Sequence, residues 1–195
     1  YVWLLGATYA SSILTPQFID CLEDPLMTLC RNGDCQKLEF WLRQSPATVL
    51  ERYYRTLLLG CCTSLRSHAV FKLLVNLCKD HIQGFDIFFN NGILIVRAAT
   101  CGAHHILDDI FSKIRSKSDL SLLSYHIFLD DAMILAAKHS KRKAFFILWR
   151  FVNKYDWVTF MVNTRARFQE ALSVCQDDFI KEALQNYISS RNERN

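Results

Sequence analysis

The fold of this chain is decided by the stretch Pro25-Leu-Met-Thr-Leu-Cys-Arg-Asn-Gly-Asp-Cys-Gln-Lys-Leu-Glu-Phe-Trp-Leu42. Its first half has apolar residues at helical spacing and ends in a close-packing pair, Leu29 and Cys30, before a turn at Gly33. Its second half carries another apolar stripe, from Leu38 to Leu42. Apolar residues three and four positions apart share one face of a helix. The stretch therefore predicts two helices joined by a tight turn.

Four weaker copies of this pattern follow along the chain. When the turn residue is taken as the reference, the copies lie 32, 37, 38 and 35 residues apart, at Gly33, Leu65, Gly102, Ser140 and Cys175. A close-packing pair precedes each reference: Leu29-Cys30, Cys61-Cys62, Ala98-Ala99, Ala136-Ala137 and Ala171-Leu172. Because one helix pair cannot bury its apolar face alone, this period predicts stacked helix pairs that share a core.

The pattern resembles the helix pair of an ankyrin repeat, whose period is about 33 residues. The copies at Gly33 and Gly102 carry the resemblance most clearly. The linkers lack the Gly-Ala-Asp finger and the Thr-Pro-Leu-His start that are typical of the family, and Asn91-Gly92 is their one good tight-turn signal. We therefore expect shortened fingers, some replaced by extra helical turns. An α-solenoid of the TPR or HEAT type is the alternative that fits the same period.

The chain as a whole is predicted to be all-α, as an α-solenoid of about five degenerate ankyrin-like helix pairs in a single repeat domain. Residues 25–188 are expected to form the repeats, 1–24 a partial amino-terminal cap or a preceding repeat, and 189–195 a tail. A content of 51% hydrophobic and 22% charged residues excludes a disordered chain. Because the chain begins with Tyr1 rather than Met, we expect it to be a fragment of a longer protein.

The eight cysteines are interpreted as small packing residues. Cys30, Cys61 and Cys62 occupy close-packed positions where Ala is usual, and a thiol behaves there as a compact apolar group. A Cys-x-x-His-His fragment begins at Cys101, but no Cys-x-x-Cys pair accompanies it. The pattern predicts reduced thiols, no metal, no cofactor and an intracellular protein of the cytoplasm or nucleus.

No catalytic motif is recognisable in the sequence: it has no phosphate-binding glycine loop, nucleophile elbow or His-Glu-x-x-His. Acidic pairs occur at Asp108-Asp109, Asp130-Asp131 and Asp177-Asp178. Adjacent helical residues point about 100° apart, so such a pair cannot act on one substrate as acid and base. Asp130-Asp131 is expected just before a helix, where it would cap exposed amides. We predict no enzymatic activity.

The charge pattern has one local feature. A net charge of +4 argues against a dedicated nucleic-acid binder. The run Lys138-His-Ser-Lys-Arg-Lys143, continued to Arg150, nevertheless has five basic residues and no acid. This run can be interpreted as a solvated rim, as a nuclear-import signal, or as a docking patch for an acidic partner, RNA or anionic lipid. Lys141, Arg142 and Lys143 are termed the basic rim.

The ankyrin resemblance implies a non-enzymatic module that binds a partner protein on its concave face. Similar eroded repeats occur in effectors of intracellular bacteria and in large DNA viruses, so the resemblance implies capture of a host protein inside the host cell. Carried over by position, the expected partner-binding residues, termed the polar strip, are Arg31, Asn32, Thr63, Ser64, Thr100, Cys101, Lys138 and His139.

Three other functions stay open at the level of sequence. One is docking of nucleic acid or an anionic membrane through the basic run 138–143. Another is an accessory role beside an upstream catalytic domain. The third is an enzyme whose site is assembled only by folding, which a deep pocket with a Cys and a His in contact would support. No transmembrane segment is predicted, since the apolar stretch 1–10 is too short to cross a bilayer.

Overall fold

The computed structural model describes residues 23–44, 46–112, 114, 126–154 and 165–192 of the chain. Within these ranges all regular structure is helical and no strand occurs, which confirms the predicted all-α class. A short 3₁₀ helix, Leu65–Ser67, precedes the fourth α-helix. The α-helices are α1 (Glu23–Asn32), α2 (Cys35–Gln44), α3 (Pro46–Cys61), α4 (His68–His81), α5 (Phe89–Cys101), α6 (His104–Ser112), α7 (His126–Lys138), α8 (Arg142–Lys154), α9 (Arg165–Val174) and α10 (Asp178–Asn192).

The chain divides into two compact units. The first contains α1 to α4, and the second contains α5 to α10 together with the segment Cys62–Leu65. In the first unit, α1 packs on α3 and α2 packs on α4. In the second unit, α5, α7 and α9 contact one another in that order, and so do α6, α8 and α10. Within each unit, therefore, odd-numbered helices contact odd-numbered helices, and even-numbered helices contact even-numbered ones.

The five reference positions of the repeat all lie between α-helices, and Leu65 is the first residue of the 3₁₀ helix. Three of them adopt a left-handed backbone, with φ of 75° at Gly33, 79° at Gly102 and 52° at Ser140. In each of these turns the amide that follows the left-handed residue donates to a carbonyl five residues earlier. These bonds are Asp34 N to Leu29 O (3.0 Å), Ala103 N to Ala98 O (2.8 Å) and Lys141 N to Ala136 O (2.7 Å).

The close-packing pairs lie in the core of their units. Their fully shielded members are Cys30, Cys61, Cys62, Ala98, Ala99, Ala136, Ala137 and Ala171. The thiols thus occupy the same kind of site as the alanines. Burial of such compact groups allows neighbouring helices to approach closely.

The linkers differ in several details from the sequence expectation. The linker after α2 is replaced by helix, since α3 begins at Pro46, and this agrees with the expected extra helical turns. The Asn91-Gly92 signal falls inside the first turn of α5, where Asn90 and Gly92 have φ of 47° and 76°. Helix α10 continues to Asn192, into the residues 189–195 that the sequence analysis assigns to a tail. The linkers that follow α6 and α8 lie outside the described residues, apart from Ile114.

The capping role predicted for Asp130-Asp131 is wrong. Helix α7 begins at His126, so both carboxylates lie inside the helix rather than before it. Asp130 is buried, and Asp131 accepts a hydrogen bond of 2.5 Å from the Arg167 guanidinium of α9. The helix starts a full turn earlier than expected, and the second carboxylate joins two helices instead of capping one.

Candidate binding groove

The polar strip is only partly open to solvent. Arg31, Asn32 and His139 are exposed, whereas the other members are half-buried. The Thr100 hydroxyl donates to the Val96 carbonyl at 2.8 Å, and Lys138 Nζ lies 2.6 Å from Glu170 Oε1. Both side chains therefore already form a hydrogen bond within the second unit. Its members divide between the two units, with Arg31 and Asn32 in the first and the other six in the second.

Long-range ion pairs divide the basic run. Lys138 pairs with Glu170, 32 residues away, and Arg150 pairs with Asp108 at 3.1 Å, 42 residues away. The absence of acids within the run therefore did not mean the absence of acidic partners in space. Among the described residues, the three members of the basic rim form no ion pair. The uncompensated charge of the run is concentrated in this rim.

A groove lies between α6 and α8 of the second unit, next to the basic rim. It is open to solvent and encloses about 760 Å³. Helix α6 contributes His104, His105 and Asp108 to its walls. Helix α8 contributes Arg142, Lys143, Phe146, Ile147, Trp149 and Arg150. The sequence analysis placed Arg142, Lys143 and Arg150 in a candidate docking run but did not predict that the other six lining residues join them.

Helix α8 supplies the groove because its apolar residues extend beyond the part of its surface that the core covers. Its buried residues include Phe145 and Leu148, which have no exposed surface. Phe146, Ile147 and Trp149 line the groove instead, and Phe146 is 36% exposed. A surface helix of a globular protein usually buries its apolar stripe against the core. The apolar residues at the margin of that stripe are therefore the signal in the sequence that points to this groove.

Two histidines stand side by side at the start of α6. The ring centroids of His104 and His105 are 4.0 Å apart, and His104 Nδ1 lies 3.3 Å from the Gly102 carbonyl oxygen. Burial lowers the pKa of His104 below its ordinary value, and the nearby charges of His105 and Lys143 act in the same direction. These three causes disfavour the charged imidazole, whereas the Gly102 carbonyl and the Asp108 carboxylate favour it and only partly offset them. Several basic side chains are thus close together at this site, and a bound anion would reduce the electrostatic repulsion among them.

Arg142 is held in position by an aromatic ring. Its guanidinium carbon lies 3.5 Å from the centroid of the Phe179 ring on α10, within the range of a cation–π contact. Phe179 is 55% exposed and does not belong to the core. Ile180 and Leu184 take the core positions of α10 instead. Phe179 serves as a support for the basic rim.

The described thiols show no sign of a reactive or metal-binding site. None of these seven is part of a disulfide, and Cys21 lies outside the described residues. Burial raises the pKa of Cys78 to about 12, and it raises the pKa of Cys62 even further. The described part of the chain contains no group of three or more His, Cys, Asp or Glu placed to hold a metal ion.

None of the described helices is both long and apolar enough to cross a membrane. No family model, curated protein or solved structure matches this chain. The resemblance to ankyrin repeats therefore stays a prediction from the sequence.

Proposed function

We propose that this protein is a non-enzymatic interaction module that binds a negatively charged macromolecular partner through the groove between α6 and α8. The observation that carries the proposal is the composition of the groove. Three cationic side chains, Arg142, Lys143 and Arg150, surround apolar and aromatic surface and face a single carboxylate, that of Asp108. Interfaces commonly place such apolar surface at the centre and charge at the edge.

The groove is better suited to binding than to catalysis. No Ser, Thr or Cys is among the described residues that line it, so it offers none of these nucleophiles. Asp108 is the one carboxylate among its described lining residues and is paired with Arg150, so the lining offers no pair of carboxylates for acid–base work. Its open form leaves a bound molecule in contact with water. These features favour recognition of a surface over chemical transformation of a substrate.

The groove is also a stronger candidate than the polar strip. Thr100 and Lys138 of the strip already bond to other groups of the protein. Phe146, by contrast, is a large apolar side chain that the core does not cover. Exposed aromatic and arginine side chains are the groups most often responsible for binding energy at interfaces. Binding between α6 and α8 would also use a different surface from the concave face that the ankyrin resemblance implies.

The proposal is tested by capture from a cell lysate with four forms of the immobilised chain. Lys143→Glu reverses one charge of the groove without breaking an ion pair among the described residues. Lys79→Glu makes the same change of net charge at an exposed position of α4, in the other unit. Arg31→Ala with Asn32→Ala alters the polar strip. Thermal unfolding of each form checks that the fold is intact.

A set of captured molecules that binds the wild type, Lys79→Glu and the strip variant, but not Lys143→Glu, is the expected result. Nuclease treatment and lipid extraction of the lysate then show whether the captured partner is protein. Retention of the same set by a correctly folded Lys143→Glu form would refute the groove. Loss of the captured molecules in the strip variant alone would show that the polar strip, and not the groove, is the binding site.

A further inference from the structure

We infer that the occupant of the groove is an acidic amphipathic segment of a partner protein, bound as a short helix. In this arrangement its carboxylates meet Lys143 and the two histidines, and its apolar residues pack against Phe146 and Trp149. The inference rests on the proposed function and specifies its partner. Such helix-in-groove recognition uses apolar anchors along one helical face and charges at its margin.

The uneven distribution of charge along the groove determines where the bound segment carries its acidic residues. Arg142 and Lys143 stand in the first turn of α8, and His104 and His105 stand in the first turn of α6, so the two cations and the two imidazoles gather where these helices begin. Arg150, two turns further along α8, is neutralised by Asp108. A matching segment has its acidic residues at one end only. Beyond them, the groove offers aromatic and aliphatic surface.

The same distribution disfavours a nucleic acid. A strand of RNA or DNA carries a phosphate at every nucleotide, and its affinity depends on neutralising several of them. The groove offers two cations outside ion pairs, Arg142 and Lys143, and a strand that ran along it would bring phosphates towards the Asp108 carboxylate. A polypeptide can omit its negative charge at that point. A polyanion of regular spacing cannot.

A lipid surface fits the groove less well for two reasons. The apolar residues of α8 line a concave site of about 760 Å³, whereas a bilayer presents a broad surface. Each basic residue near an anionic membrane contributes only about 1 kcal/mol. Two such residues give weak attachment unless apolar side chains also insert. A protein segment, in contrast, can enter the groove and contact Phe146 directly.

The lengths of the walls set the size of the segment. Helix α6 has nine residues and α8 has 13, which correspond to about 14 and 20 Å at the helical rise. A partner helix of three to four turns covers this distance, so peptides of about 16 residues are long enough to fill it.

The test is the selection of binders from a displayed library of random peptides of about 16 residues, the length set by the helical rise. The library is selected on the wild-type chain and depleted on Lys143→Glu. We expect enriched sequences that combine Asp or Glu near one end with large apolar residues at helical spacing. Synthetic copies should bind at least tenfold more weakly to Lys143→Glu and to Phe146→Ala, and more weakly as salt rises. A single-stranded uridine oligonucleotide and vesicles containing phosphatidylserine are compared in the same assay.

Enrichment of basic or purely apolar peptides, or of none, would overturn the inference. So would tighter binding of the oligonucleotide or the vesicles than of the selected peptides. If lysate capture still depends on Lys143 in such a case, the proposed function stands and only the class of partner is wrong. If capture does not depend on Lys143, both fail together.

Discussion

The Ser67 hydroxyl donates a hydrogen bond of 2.5 Å to the carbonyl oxygen of Cys30. Ser67 immediately precedes α4, the usual place for a side chain that caps the helix it precedes, yet it makes no such bond. It instead satisfies a carbonyl at the end of α1, 37 residues earlier. Both groups are buried, so this bond joins the two helix pairs of the first unit through their turns.

Ser67→Ala should lower the free energy of unfolding by about 0.5–1.5 kcal/mol, because it removes one buried hydrogen bond while the Cys30 carbonyl still accepts from Gly33 N at 3.3 Å. Ser112→Ala is the matched control, since that exposed hydroxyl bonds only to the nearby Asp109 carbonyl, at 2.9 Å. Its effect should stay within about 0.5 kcal/mol. Urea denaturation of both variants measures the difference. Equal losses would show that the Ser67 bond adds nothing to stability.

Replacing Gly33 should be more damaging than replacing Gly84, although both have a left-handed backbone, with φ of 75° and 71°. A Cβ at Gly33 would lie 2.9 Å from the carbonyl carbon of Arg66, whereas one at Gly84 would meet nothing within 4 Å. Gly84→Ala should therefore cost only the left-handed penalty of about 1–2 kcal/mol. Gly33→Ala should cost this amount and the steric strain as well. Chemical denaturation that gave the same loss for both would contradict the close approach at Arg66.

Much of the fold could be predicted because its signals are local. A glycine after a helical stripe marks a left-handed turn, and this reasoning located the turns at Gly33 and Gly102. The turn at Ser140 was predicted from the repeat spacing alone, since serine seldom adopts φ of 52°. The start of α7 was missed because its first turn lacks a recognisable cap. No pattern within a few residues distinguished helix from linker at that point.

The candidate site was harder to predict because it depends on contacts between distant segments. Asp108 and Arg150 meet only when α6 packs on α8, so no local pattern indicated that they neutralise each other. The pairing of Lys138 with Glu170 was hidden for the same reason. The apolar residues of α8 were visible in the sequence. That some of them line a groove required knowledge of which face the core had already used.

The native thiols should differ in their reaction with iodoacetamide at a pH of about 8, since the thiolate is the reactive form. Cys62 and Cys78 should resist modification, because both are buried and have raised pKa values. Cys35 is half-buried, and its pKa is raised by burial and by the nearby charges of Glu39 and Asp34. It should react slowly but before the other two. Peptide mass mapping at successive times gives the order, and modification of Cys62 as early as Cys35 would contradict the burial pattern.

The stability of the second unit should fall on mild acidification through His104. Its pKa in the folded protein is lower than its ordinary value of 6.5, because of burial and the charges of His105 and Lys143, with Asp108 opposing them. The unfolded chain then binds more protons in this interval, so stability is complete above pH 6.5 and declines as the pH falls towards the folded pKa. Melting temperatures measured from pH 7.5 to 5 should decline less for His104→Gln than for the wild type. His139→Gln removes an exposed imidazole and serves as the control, and an unchanged slope in His104→Gln would contradict the assignment.

Two neighbouring positions on α8 should separate stability from binding. Leu148 is fully buried, so Leu148→Ala should lower the free energy of unfolding by about 2–5 kcal/mol. Phe146 is 36% exposed, and its ring packs edge-on against Phe145 with centroids 5.5 Å apart. Phe146→Ala should therefore cost about 1 kcal/mol while weakening the selected acidic peptides at least tenfold. Denaturation and fluorescence anisotropy, performed on both variants at a temperature where each is folded, provide the comparison. Loss of peptide binding in a folded Leu148→Ala form, with normal binding in Phe146→Ala, would mean that α8 contributes only to the core and that the binding surface lies elsewhere.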